Sequence, residues 1–225
     1  MEVQSPLEVF AGQVATEVAG RPVSVVCHGS NDWVQLAAQQ RFDAVTVWGF
    51  VVFDWDAPTQ TYKPEDSMQL SEAACWYLDE YWRAPSAEKG KRCRVGTTVT
   101  FVAKKTRLKG TKRVKVNGRW VTKSVWITGT KQVPVSKEQY GECPDYENRV
   151  FALQTISHES QHLSGIRDEA TAECNGMLKL GWFAQQFGAT AAQGRQMAED
   201  YYTTFYRVKR PGTAYYSATC PDPGK

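Results

Sequence analysis

Histidine is scarce in this 225-residue chain: there are three, and two of them stand four residues apart. Other features are missing altogether. No run approaches the roughly 18 consecutive apolar residues of a membrane-spanning helix, so no transmembrane segment is expected. The most apolar stretch, Val45 to Phe53, is short and β-branched and reads as a strand. There is no internal repeat and no low-complexity segment, which excludes solenoids and disordered arrays. No cysteines form a C-x-x-C pair, which argues against a zinc ribbon or a thioredoxin-type redox site. The opening residues, MEVQSPLEVFAGQ, have no basic n-region and no apolar h-region, so no signal peptide is read in them. That leaves a cytoplasmic protein or a trimmed chain begun on an added Met. Finally, Lys89 to Lys137 holds 15 Lys and Arg and no Asp or Glu; the remaining 12 basic residues face all 24 acidic ones, a formal −12. A basic module is set into an acidic body.

The six cysteines, Cys27, Cys75, Cys93, Cys143, Cys174 and Cys220, are even in number and scattered. That suits a disulfide framework and an extracytoplasmic or secreted protein better than a cytoplasmic one. Six cysteines allow 15 pairings, among which Cys174 with Cys220 is expected to clamp the C-terminal tail. Hydrophobic residues at 42% and charged residues at 23% are ordinary for a globular domain.

The chain reads as α+β. Residues 1–20 read as a helix from Leu7, Phe10, Val14 and Val18, and Arg21 to Cys27 as a strand. A short helix follows Asn31-Asp32. Thr46 to Trp55 is a strand, ended by Asp56-Ala57-Pro58. Ser71 caps a helix that Pro85 stops. Between Arg94 and Val135 the sequence is β in character. Asn117-Gly118 separates two alternating runs, a strong hairpin signal because both turn positions want φ > 0. Three helices close the chain: Pro144-Asp145 to Leu163, Asp168 to Phe187, and Thr190 to about Arg207. We expect one domain over residues 1–225, with 94–137 as a basic β-ribbon insertion and 145–208 as a helical, metal-binding part.

The two neighbouring histidines belong to His158-Glu159-Ser160-Gln161-His162, an H-E-x-x-H arrangement. Residues four apart on a helix share a face, so both imidazoles can reach one ion. Glu159 is rotated about 100° from His158 around the helix axis. It then stands beside the ion, where it can take a proton from a bound water as a general base. The plain alternative is two solvated histidines on a surface helix.

Three carboxylates compete for the third ligand position. H-E-x-x-H-x-x-G-x-x-D, with Gly165 as the turn and Asp168 as ligand, resembles the metzincin pattern with Asp in place of the last His. A Met-turn should then follow, and Met177 within a helix is a poor one; Asp168 also fits the N-cap of the next helix. Asp168-Glu169-Ala-Thr-Ala-Glu173 is similar to the glutamate helix of gluzincins, with Asp for the usual Asn, Glu for the usual Asp, and a short connection. That resemblance implies Glu169 as ligand and Glu173 as the carboxylate that orients a zinc histidine. Glu169 ranks first, Glu173 second and Asp168 third; Glu169 and Glu173 share a face. HES-x-HL-x-G followed by DEA-x-AEC also resembles a group of extracytoplasmic actinobacterial proteins with a zincin-type helix pair. This likeness covers about 25 residues and implies a fold and a Zn²⁺ ion but no substrate.

The resulting expectation is a zinc metallopeptidase in which His158, His162 and Glu169 hold Zn²⁺ and Glu159 activates water toward a peptide or protein substrate. The alternatives are a non-catalytic zinc-stabilised binding protein and a polyanion-binding module built on the ribbon. His28 reads as a surface-loop histidine and Tyr206, Tyr215 and Tyr216 as packing residues; each could also serve as a transition-state donor. The ribbon has Trp120 and Trp126 among its Lys and Arg. It fits an anionic polymer, a substrate-docking edge, or a solvated hairpin whose charge blocks edge-to-edge pairing.

Overall fold

A computed structural model describes residues 4–225, without the side chains at 108 and 127. The first three residues, and with them the start of the expected N-terminal helix, lie outside the described residues. The architecture is α+β, and the chain forms two compact units, Met1–Cys93 with Glu142–Lys225, and Arg94–Gly141.

The first unit opens with α1 (Pro6–Ala19). Ser5 and Glu8 form a reciprocal capping box at its start, and Gly20, at φ +69°, ends it. Leu7, Ala11, Val14 and Ala15 line its buried face. Then come β1 (Ser24–Cys27), α2 (Ser30–Gln40), β2 (Gly49–Asp56), β3 (Thr61–Leu70) and α3 (Glu72–Arg83). The strands form one sheet in the order β1-β3-β2, with β1 parallel and β2 antiparallel to β3. Ser71 caps α3, its Oγ accepting from Ala74 N at 3.2 Å.

Two features of this sheet depart from the sequence expectation. β2 begins at Gly49 rather than Thr46, because Asp43 folds the preceding residues into a turn: Val45 N donates to Asp43 Oδ1 at 2.9 Å and Val47 N to Asp43 O at 3.0 Å. β3 was not expected at all. Pro64, Glu65 and Asp66 weigh against a strand, yet β3 is central. Only its end, Met68–Leu70, has a partner on both sides. Pro64 lies in the half paired with β2 alone, beside a register shift between Val51 and Phe53, which is where a sheet tolerates a missing N–H.

The helical part comprises α4 (Tyr146–Leu163), α5 (Glu169–Gln186), α6 (Ala191–Asp200), a π-helical turn (Tyr201–Tyr206) and the short α7 (Arg207–Lys209). The third helix was expected to stay α-helical to Arg207. Instead the hydroxyls of Thr203 and Thr204 bond back to Glu199 O at 2.8 Å and Asp200 O at 2.6 Å, a pattern that bends and opens helices.

α4 and α5 pack at a glycine. A Cβ at Gly176 would lie 2.9 Å from His158 N and 3.0 Å from His158 Cα. Gly176→Ala is therefore expected to cost about 1–3 kcal/mol through overpacking, read as a lowered Tm, and to weaken whatever His158 binds. An unchanged Tm would show that α5 can shift without loss.

Three disulfides bond the cysteines: Cys27–Cys75, Cys93–Cys143 and Cys174–Cys220. They tie β1 to α3, the two ends of the ribbon to each other, and α5 to the C-terminal tail. Three disulfides fit an oxidising, extracytoplasmic setting. Among the described residues no helix is long and apolar enough to cross a membrane.

The second unit is a two-stranded ribbon. β4 (Arg92–Val116) and β5 (Arg119–Glu142) carry the chain out and back through Asn117 and Gly118, at φ +49° and +80°, the primed turn that a two-residue hairpin favours.

Candidate metal centre

α4 is buried along its second half: every residue from Ala152 to Leu163 is inside. It runs beneath β2. A Cβ at Gly49 would sit 2.8 Å from Thr155 Cγ2 and 3.2 Å from Glu159 Cγ, so glycine there lets the strand lie directly on the helix. Past Ser164 the chain turns at Gly165, φ +99°, and α5 starts at Asp168, whose Oδ1 accepts from Thr171 N at 2.8 Å. Asp168 is thus the cap of α5, and it does not line the cavity next to the histidines.

Glu169, one residue on, reaches the histidines. His158 Nε2 and His162 Nε2 are 3.0 Å apart, and Glu169 Oε2 lies 3.1 Å from the first and 3.4 Å from the second. These distances match the edges, about 3.3 Å, of a tetrahedron whose centre is about 2.0–2.1 Å from each corner, the bond length of zinc to nitrogen or oxygen. Each imidazole has an acceptor at its far nitrogen. His162 Nδ1 lies 2.6 Å from Ile166 O. His158 Nδ1 lies 3.0 Å from Glu173 Oε2, though off the line of its N–H bond, since it makes no aligned hydrogen bond. An acceptor at Nδ1 favours the tautomer whose bare Nε2 lone pair points inward. Two bare Nε2 atoms facing each other repel unless a proton or a cation lies between them.

Glu159 is buried, and its Oε2 has no hydrogen-bond partner among the described residues. A buried, unpartnered carboxylate oxygen calls for something in front of it. Glu159, His158 and His162 can bring one ligand atom each to within 4.8 Å of one another. Burial holds the Glu159 carboxyl above its ordinary pKa, against the pull of both histidines.

Glu173 is the hub behind the centre. In addition to its close contact with His158 Nδ1, it accepts from Tyr201 Oη, from Arg210 Nε at 3.0 Å and from Gln154 Nε2 at 3.2 Å. Burial would raise its pKa, but His158, Arg210 and Tyr201 hold it down at about 2. Tyr201 comes from the π-helical turn and Arg210 from the tail just beyond α7. Glu159, Glu169, Glu173 and Arg210 sum to a formal −2 with neutral histidines, which a divalent cation balances.

Around the centre is a cavity of about 560 Å³, bordered by β2, α4, Arg167 and Tyr215. The Tyr215 ring lies 5.7 Å from that of His158, and the Arg210 guanidinium sits 4.4 Å from its centre. Burial and nearby carboxylates push the Tyr215 hydroxyl up to about 12, so it stays a donor at neutral pH. Tyr206 is buried against Ser217, with Tyr216 packed on its ring. His28 is 2.7 Å from Gln69 Oε1, and neither it, Tyr206 nor Tyr216 borders this cavity.

Reading the sequence missed Tyr201, Arg210 and Gln154. Nothing in their spacing marks them: each earns its place through non-local packing against Glu173.

The metal-free electrostatics set a pH window. Burial opposes protonation of His158, yet Glu169 and Glu173 raise its pKa to about 10. Its stabilising contribution is full below its ordinary value of 6.5 and lost as pH rises through 10. Glu169 and Glu173, both depressed to about 2, contribute above 4.5 and lose that contribution as pH falls through 2. These three groups therefore contribute most to metal-free stability between about pH 4.5 and 6.5, whereas Glu159, held above its ordinary pKa, costs stability as pH rises from about 4.5. Metal binding must expel a proton, so affinity should rise with pH. Calorimetry in buffers of different ionisation enthalpy checks this; no proton release would contradict it.

Comparison with protein-family models, with curated proteins and with solved structures finds no match for the chain.

Proposed function

We propose that the protein is a zinc-dependent peptidase. One observation carries this reading: three ligand atoms converge at 3.0–3.4 Å beside a buried carboxylate oxygen with no partner of its own. His158, His162 and Glu169 hold the ion, and Glu173 orients His158 from behind. When bound, the ion acts as a Lewis acid that polarises a carbonyl and makes a nearby water acidic, with a pKa near about 7.

The chain's own residues do the rest. Glu159 takes a proton from water in the cavity and later returns it to the leaving amine, a task that suits a carboxyl held above its ordinary pKa. The Tyr215 O–H donates toward negative charge that develops on the substrate carbonyl. β2 is an edge strand whose residues Gly49, Phe50, Val51 and Phe53 border the cavity. An extended peptide can pair with such an edge and bring its carbonyls past the centre.

The test is metal content after purification without added metal, with cleavage of a diverse peptide library measured in parallel. Wild type is expected to hold one zinc per chain, as is Asp168→Ala. His158→Ala, His162→Ala and Glu169→Ala should hold little. Wild type that stays metal-free even after incubation with zinc would sink the metal centre; full zinc with no cleavage of any peptide would sink the peptidase.

A further inference from the structure

The ribbon unit is a charged object. From residue 94 to 141 it has 12 Lys and Arg against Glu138 alone, a formal +11. At about 3.3 Å per residue its 25-residue strand is about 80 Å long. A two-residue turn sets Val116 opposite Arg119, so odd-numbered residues of β4 share a face with even-numbered residues of β5. The contact of Thr100 Oγ1 with Val135 O, 3.4 Å, agrees with that register far from the turn.

Sorting the residues by face separates the chemistry. Lys105, Arg107, Lys109, Arg113 and Lys115 make a basic stripe down β4 on one face. The neighbouring stripe of β5, from Trp120 to Thr130, is uncharged and consists of two tryptophans and four hydroxyl residues. The other seven basic residues of the unit lie on the opposite face. Trp120 and Trp126 are 61% and 67% exposed, and neither indole stacks on another ring among the described residues. Large aromatics this exposed add little to the ribbon's own packing.

From this juxtaposition we infer that the ribbon binds single-stranded nucleic acid. The basic stripe repeats every second residue, about 6.6 Å, close to the phosphate repeat of an extended polynucleotide. The adjacent indoles offer stacking platforms for bases. Ribbon-to-ribbon pairing with a second copy is opposed by like charge. The turn of the ribbon is Asn-Gly beside Arg119, a polar tip with nothing to insert into a bilayer. A duplex keeps its bases stacked on one another and leaves the indoles idle.

The experiment is fluorescence anisotropy of the full-length protein with a labelled 20-nucleotide oligothymidylate at 50 and 200 mM salt. Five phosphate contacts give a slope of about −3.5 in log K against log salt, hence about a 100-fold loss of affinity across that range. Replacing the five stripe cations by Gln should flatten the slope. Trp120→Ala and Trp126→Ala should each weaken oligonucleotide binding about 5- to 100-fold and leave binding to inorganic polyphosphate unchanged. The polyphosphate arm also reports that the ribbon is still formed. No binding at 50 mM salt, indifference to both Trp substitutions, or preference for duplex or for phosphatidylglycerol vesicles would overturn the assignment.

Discussion

Glu159→Gln is expected to lower peptidase turnover by about two to four orders of magnitude while the protein keeps its zinc. The side chain that replaces Glu159 has the same shape and cannot take a proton. The three atoms that converge beside it are untouched, since they belong to His158, His162 and Glu169. Stability should not fall either. In wild type, burial disfavours the charged form of Glu159, so a neutral amide in the same place removes a desolvation cost rather than adding one. The result therefore separates proton transfer from folding and from metal binding. Turnover within tenfold of wild type, with zinc bound, would remove Glu159 from the mechanism. Loss of zinc along with activity would mean that the carboxylate is a ligand.

Glu173→Ala is expected to destabilise the protein by about 3–5 kcal/mol, because it leaves Arg210 as a largely buried guanidinium without its carboxylate. Near 225 residues that is roughly 6–20 °C in Tm. Tyr201 and His158 lose an acceptor in the same change. Zinc affinity should drop about 10- to 100-fold, since His158 would no longer be oriented from behind. The sign of the pH dependence gives a second readout. The Glu173 carboxyl is depressed in the folded protein. The gap in Tm between wild type and variant should be full above about pH 4.5 and narrow as pH falls toward 2. A gap of less than 1 kcal/mol at pH 7 would mean that Arg210 finds solvent or another partner once Glu173 is gone.

How far the fold and the centre could be read ahead depended on locality. α4 was legible because its apolar spacing and its two histidines follow the same period. The Ser71 cap and the Asn117-Gly118 turn were legible because a few adjacent residues decide them. The choice among Asp168, Glu169 and Glu173 was not. Glu169 and Glu173 share a helix face, and which of them meets Nε2 depends on the turn at Gly165 and on the close approach at Gly176. The sequence carries the glycines but not the angle they permit. β3 was illegible for a related reason: Pro64, Glu65 and Asp66 are poor strand residues, and the strand exists because β1 and β2 pair with it. Arg210 reaches Glu173 from 37 residues away, and no short-range pattern announces that distance.

The short connection between α4 and α5 has a kinetic side. His158, Glu159, His162 and Glu169 all fall within a dozen residues, so bringing them together closes only a small loop and costs little chain entropy. The partners of Glu173 come from much farther along the chain. An ion held as proposed would therefore be captured early, by two helices and the turn between them, before β2 covers the centre or the tail is bonded to Cys174. The metal would then act as an assembly nucleus, around which the slower, long-range contacts are laid down.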